Sequence, residues 1–183
     1  MTTPPGPQPF ATGRLDAVPL DPAHADEMAA VLADHALYTY TGGGPEDARA
    51  LRARYERQTA GSPDPAERWW NWVLRVRAEG CLAGYVQATV REGRAEVAWV
   101  VGAGWQGRGY AKEAATGLVR HLLGRPPDGE GIRTVVAHIH PGHTASAAVA
   151  AAAGLEATPE WEDGEVRWRR NAPWSADTGH DRD

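Results

Sequence analysis

Ala95-Glu-Val-Ala-Trp-Val-Val-Gly-Ala-Gly-Trp-Gln-Gly-Arg-Gly-Tyr-Ala111 decides how this chain is read. Arg94 to Val101 is rich in β-branched and aromatic residues and predicts a strand, and a glycine-rich turn follows at once. Ala111, Ala114, Ala115, Leu118, Val119 and Leu122 then recur at helical spacing until Gly124 and Pro126-Pro127 end the helix. The first N–H groups of such a helix lack internal partners, and its dipole places positive charge there, so strand, turn and helix together predict an anion site suited to phosphate. Gly107 and Gly109 let the backbone approach a ligand, and Ala111 adds no bulk where the helix begins.

Working outward, Trp69 to Arg77, Leu82 to Val90 and Arg94 to Val101 are three β-rich runs. Glu79-Gly80 and Glu92-Gly93 separate them, which is the turn chemistry of an antiparallel meander. Upstream, Gly13 to Leu20 predicts a strand, and Asp21-Pro22 starts a helix with Ala25, Met28, Ala29 and Leu32 on one face. Pro45-Glu46-Asp47, after the glycines at 42 to 44, opens a second helix through Tyr55. Downstream, Thr134 to His140 reads as a strand, Thr144 to Ala153 as a helix stopped by Gly154, and Glu165 to Arg170 as a closing strand. Strands joined first by hairpins and then through a helix imply a mixed α/β sheet of α+β character. Residues 1–11 carry four prolines and read as a disordered leader, 12–171 as one domain, and 172–183 as a flexible tail.

A chain of 183 residues suits one domain with helices on both faces of a sheet. The lone Cys81 excludes an internal disulfide or a multi-thiolate metal site, and a cytoplasmic location follows as the default. A formal charge of −5 argues against nucleic acid and mildly favours cationic partners such as amines. No run of about 18 apolar residues indicates a membrane span. Gly102-x-Gly104-x-x-Gly107 also satisfies a dinucleotide fingerprint, but its strand leaves a meander and the next strand ends in His138-Ile-His140 rather than an acid, against a nicotinamide or flavin site.

Gln106-Gly107-Arg108-Gly109-Tyr110-Ala111 resembles the Gln/Arg-x-x-Gly-x-Gly/Ala signature of the GNAT superfamily of N-acetyltransferases. Val135 to Ser146, followed by Ala153-Gly154-Leu155, looks like the second half of that fold, in which Pro-x-Asn-x-Ala-Ser precedes a helix ending in Gly-Phe or Gly-Leu. The likeness runs from about Gly13 to Arg170 and is nearest the ribosomal-protein-alanine acetyltransferase branch. It implies a twisted mixed sheet of six or seven strands, splayed in the middle, with about four helices on both faces and acetyl-CoA in the gap. The implied activity is acetyl transfer to a primary amine on a protein N-terminus or a small molecule, with no nucleic acid or membrane partner and a homodimer left open. A noncatalytic acyl-CoA-binding regulatory module is the alternative, because Ala150 stands where many relatives have a tyrosine acid and His143 where they have asparagine.

The resemblance also assigns roles. Glu96, within Ala-Glu-Val, matches the proposed general base, and Ser146 a proton donor to the leaving sulfur or a cofactor contact. The N–H of Val101 would polarise the acetyl carbonyl, and Val100 and Gly102 would pair with pantetheine amides. Gln106, Gly107, Arg108, Gly109, Tyr110 and Ala111 would surround the diphosphate, and His143 would touch the pantetheine arm. Tyr38 and Tyr40, beside the glycine run, are candidate walls of an acceptor pocket. His138 and His140 share a strand face and with His143 suggest a metal cluster, but no acidic or thiol ligand accompanies them, so no metal is assigned. The tryptophans at 69, 70, 72 and 99 read as core.

Overall fold

The computed structural model describes residues 6–124 and 131–173. Among them, one sheet holds Phe10–Ala11 (β1), Leu15–Pro19 (β2), Glu67–Val76 (β3), Leu82–Arg91 (β4), Arg94–Val101 (β5), Thr134–Ile139 (β6), Glu156–Glu162 (β7) and Glu165–Asn171 (β8). Their spatial order is β1-β2-β3-β4-β5-β6-β8-β7. Every neighbouring pair is antiparallel except β5 and β6, which are parallel because a helix connects them. The helices are Ala25–Val31 (α1), Ala48–Ala60 (α2), Tyr110–Leu123 (α3) and Thr144–Ala152 (α4). Asp47 caps α2 by accepting from the Ala50 N–H. Pro126 and Pro127, expected after α3, lie outside the described residues.

The sheet has eight strands rather than six or seven. The first addition is β1, which corrects the limits of the leader: Phe10 packs edge-on to Trp72 at 5.7 Å and stacks on His121 at 4.8 Å, while Trp72 Nε1–H donates to Gln8 O at 2.9 Å. The domain also runs one residue past its expected end, since Ala172 is buried and its N–H donates to Arg133 O. The second addition, β7, is an exposed edge, which is why it tolerates Pro159 and a polar sequence.

Alternation along the central strands fixes the two layers. Val97 and Val101 on β5, with Ala137 and Ile139 on β6, join Ala114, Leu118 and Leu122 of α3 in the main core. On the other face, Met28 and Val31 of α1 and Leu51 and Tyr55 of α2 bury against Val73 and Leu82. The remainder of that face, from β5 to β7, carries Arg94, Glu96, His138 and Arg167 beside Ala98 and Val136.

Glu113, in the first turn of α3, ties that helix to the β1–β2 corner. Its carboxylate accepts from the Thr12 hydroxyl at 2.6 Å, the Arg14 N–H at 2.6 Å and Arg14 Nε–H at 2.7 Å. Burial pushes this carboxyl up, but the three donors outweigh it and hold the group below the usual carboxylate range. A carboxyl lowered in the fold stabilises fully above its unfolded value, and that contribution is lost as pH falls through the folded one. Glu113→Ala is expected to cost about 1–3 kcal/mol at pH 7, the range of charge-assisted hydrogen bonds. Melting curves at pH 7 and pH 3 should show parent and variant converging at the acid end; a constant gap would remove Glu113 from the acid response.

Candidate active site

β5 and β6 pair only from Arg94 to Glu96 against Thr134 to Val136. Beyond that they part, and a cleft of about 740 Å³ opens between them. Val97 and Val101 line it from the α3 side of the sheet, and Ala98 and His138 from the opposite side, so it passes through the sheet. Its size suits a small-molecule ligand.

The direction of the backbone groups follows from two bonds. Gly102 N–H donates to Ala83 O on β4 at 2.8 Å, whereas Gly93 O accepts from Arg133 N–H on the β6 side. Backbone groups alternate along a strand, so Val97, Trp99 and Val101 turn theirs toward the cleft, while Val100 and Gly102 turn theirs toward β4. The expectation that Val100 and Gly102 offer a pairing edge is thereby corrected to Trp99 and Val101. Gly102 serves packing instead: a Cβ there would lie 2.6 Å from Val31 O on α1. Gln106 Nε2–H donates to Val101 O at 3.0 Å, latching the turn to the strand end and leaving the Val101 N–H facing the gap.

The turn itself places Gly107 at φ 75° and Gly109 at φ 81°. Gly109 caps α3 without any side-chain bond, and the first helical bond runs from Glu113 N–H to Gly109 O. The preceding N–H groups of the first turn therefore lack helical acceptors. Arg14, which the sequence gave no reason to single out, braces this turn: Nη1–H donates to Arg108 O at 3.0 Å and the guanidinium lies 4.6 Å from the centre of the Tyr110 ring. Gly107, Gly109, Tyr110 and Ala111 line the cleft, joined by Lys112. The Arg108 side chain does not; it pairs with Glu79 at 3.2 Å on the flank.

Glu96 stands at the vertex where the strands part. Its Oε1 lies 2.9 Å from His138 Nδ1, and its Oε2 3.6 Å from Arg94. On the far side of the ring, Arg167 Nε–H donates to His138 Nε2 at 3.2 Å, with Glu162 at 3.1 Å. The ring therefore bridges Glu96 at Nδ1 and the Arg167–Glu162 pair at Nε2. Arg167 is itself held by Glu160 and Glu162. His138 thus belongs to the environment of Glu96, across 42 residues of sequence.

Ser146, on the first turn of α4, lines the cleft, and its hydroxyl makes no hydrogen bond among the described residues, so it does not act as a helix cap. Ala150, one turn on, is fully buried in the main core. His143 also lines the cleft and stacks on Tyr40 at 4.3 Å, with the Tyr40 hydroxyl donating to Gly142 O. Burial first, and then the neighbouring His140, hold the His143 imidazole below its ordinary value, which keeps it neutral near pH 7. The two expected acceptor-wall tyrosines separate: Tyr40 lines the cleft, but Tyr38 turns away and donates its hydroxyl to Leu32 O at 3.0 Å. Among the described residues no helix is long and apolar enough to cross a membrane.

The family model described as Acetyltransferase (GNAT) domain matches residues 14–156. No curated protein matches the sequence. Among solved structures, an acetyltransferase (GNAT family) from Bacillus anthracis superposes with a TM-score of 0.74 at 15% identity, over 90% of this chain and 99% of its own. RimL, described as a ribosomal L7/L12 alpha-N-protein acetyltransferase in complex with coenzyme A, gives 0.71 at 16% identity over 90% and 98%. The microcin C7 self immunity acetyltransferase MccE, in complex with acetyl-CoA and AMP, gives 0.70 at 14% over 87% and 93%. At such identities the likeness establishes the fold.

Proposed function

The chain belongs to the acetyltransferase (GNAT) family, and from that premise we propose that it transfers an acetyl group from acetyl-CoA to a primary amine, on a protein N-terminus or a small molecule. The observation that carries this reading is the junction of the glycine turn with the splayed strands. Unpaired N–H groups at the mouth of α3 suit a diphosphate, and the free edge of β5 at Trp99 and Val101 suits the amides of a pantetheine arm. RimL and MccE, which share the fold, were solved with coenzyme A and acetyl-CoA. The thioester supplies an activated acetyl carbonyl.

The chain's own groups then divide the work. The Val101 N–H is placed to stabilise negative charge developing on the carbonyl oxygen. Glu96, which stands behind the cleft-lining His138 rather than on the cleft wall, takes the proton of the attacking amine through one water. His138 positions Glu96 by donating from Nδ1. Ser146 gives a proton toward the departing sulfur, or holds it by a hydrogen bond.

Thermal denaturation tests the reading. Acetyl-CoA at a hundredfold excess over its Kd should stabilise by about 2.7 kcal/mol and raise Tm by roughly 5–10 °C, with NAD ineffective. The reverse preference would restore the dinucleotide reading. CoA release with an amine panel separates the enzyme from a module that only binds acyl-CoA.

A further inference from the structure

A second cavity, of about 90 Å³, lies beneath α2 on the face of the sheet opposite α3. Its walls include Arg54, Tyr55 and Gln58 of α2, Asn71 of β3, and Tyr85 and Gln87 of β4. These groups are polar. Tyr55 is 3% exposed, and its buried hydroxyl has no hydrogen-bond partner. The Nε–H of Arg54 is likewise buried and unpaired. Arg54 Nη1 approaches Glu46 Oε2 to 2.7 Å, close enough for charge attraction but misaligned for a hydrogen bond. Among the described residues, the side chains of Asn71, Gln87 and Tyr85 also make no hydrogen bonds.

A buried hydroxyl left without a partner is costly, and the unpaired Tyr55 O–H and Arg54 Nε–H point to an acceptor atom in the cavity that the neighbouring, likewise unpaired Glu46 Oε2 does not supply. Burial pushes the Tyr55 phenol up to about 12, against the pull of Arg54, and raises Tyr85 as well, so both remain neutral donors near pH 7. The cavity and the cleft share no lining residue but adjoin through the sheet register. Asn71 stands opposite Gln87, and Gln87 opposite Ala98, on one face. Gln87 lines the cavity and Ala98 the cleft, so the two lie side by side across β4 and β5.

Resting on the acetyltransferase reading above, we propose that this cavity is an acceptor subsite that binds an oxygen of the amine substrate, an amide carbonyl or a carboxylate. Two strand spacings separate Ala98 from Asn71, so that oxygen lies about 10 Å from the reactive nitrogen, the reach of about three extended residues. The acceptor is a peptide or a peptide-like amine; a plain alkylamine leaves the two donors unsatisfied.

The test compares tri-alanine amide, tri-alanine and 1,8-diaminooctane as acceptors, by CoA release at saturating acetyl-CoA. In the parent protein the two oxygen-bearing acceptors should have the lower KM, and the ranking of acid against amide tells which oxygen is held. Tyr55→Phe should raise KM about tenfold for the preferred peptide, leave kcat within about twofold and leave the diamine unaffected. Its Tm should equal or exceed the parent's, since it deletes an unpaired hydroxyl. Gln87→Leu should act in the same direction from the other wall. Turnover of all three acceptors with both variants indifferent overturns the subsite alone, as does a Tyr55→Phe protein that melts well below the parent. A parent that binds acetyl-CoA yet turns over no acceptor overturns the subsite and the acetyltransferase reading together.

Discussion

Gly109→Val is expected to lower affinity for coenzyme A by about 10²–10⁴-fold while leaving the protein folded. Gly109 sits at φ 81° at the entrance to α3. A β-branched residue is a genuine outlier there, with a strain of about 1–3 kcal/mol. The turn would relieve that strain by rotating its peptide planes, which misdirects the N–H groups offered to the diphosphate. Losing two such charge-assisted bonds at about 1.5–3 kcal/mol each accounts for the predicted range at 1.4 kcal/mol per decade. Calorimetry with coenzyme A gives the affinity, and far-UV circular dichroism the fold. Acetyl-pantetheine, which lacks the diphosphate, provides the control: parent and variant should use it equally well. Parental affinity for coenzyme A in a folded Gly109→Val protein would sink the assignment of the diphosphate to this turn.

The elements that bury an apolar stripe were legible from the sequence. The meander and α3 came out within a few residues, because their periodicities are strong and their turn chemistry is explicit. Glu92-Gly93 indeed forms a two-residue hairpin, with both residues at positive φ. The missed strand β7 had the same signal in Asp163-Gly164, which turns at φ 50° and 82°, but Pro159 and the run of exposed polar residues before the turn masked it. β1 was hidden for a different reason: its Phe10 is held by Trp72 and His121, contacts that no local pattern announces. At the site, motif order alone pointed to the glycine turn and to Ser146, and Gly107, Gly109 and Ser146 line the cleft. Arg14, 94 residues before the carbonyl it braces, left no trace in sequence. His138 stood out only as part of an apparent metal cluster with His140 and His143. The pairing of Val100 and Gly102 failed because alternation shows which residues share a side, whereas only the ladder of β4 shows which side faces the cleft.

Glu96→Gln should reduce kcat/KM by about 10²–10⁴-fold, the usual contribution of a general base, with coenzyme A affinity unchanged. Glutamine keeps the shape and can still accept from His138, so the loss isolates proton acceptance. His138→Ala should cost less, about tenfold, because the carboxylate survives but its orientation is no longer fixed from Nδ1. The two variants together should lose scarcely more than Glu96→Gln alone, since a positioning residue has nothing to position once the base is gone. The competing arrangement, in which the imidazole is itself the base, inverts the order of the two losses. It would require Nε2 to abandon the bond it accepts from Arg167, a cost the observed geometry does not impose on Glu96. A His138→Ala protein more damaged than Glu96→Gln would therefore transfer the base to the imidazole.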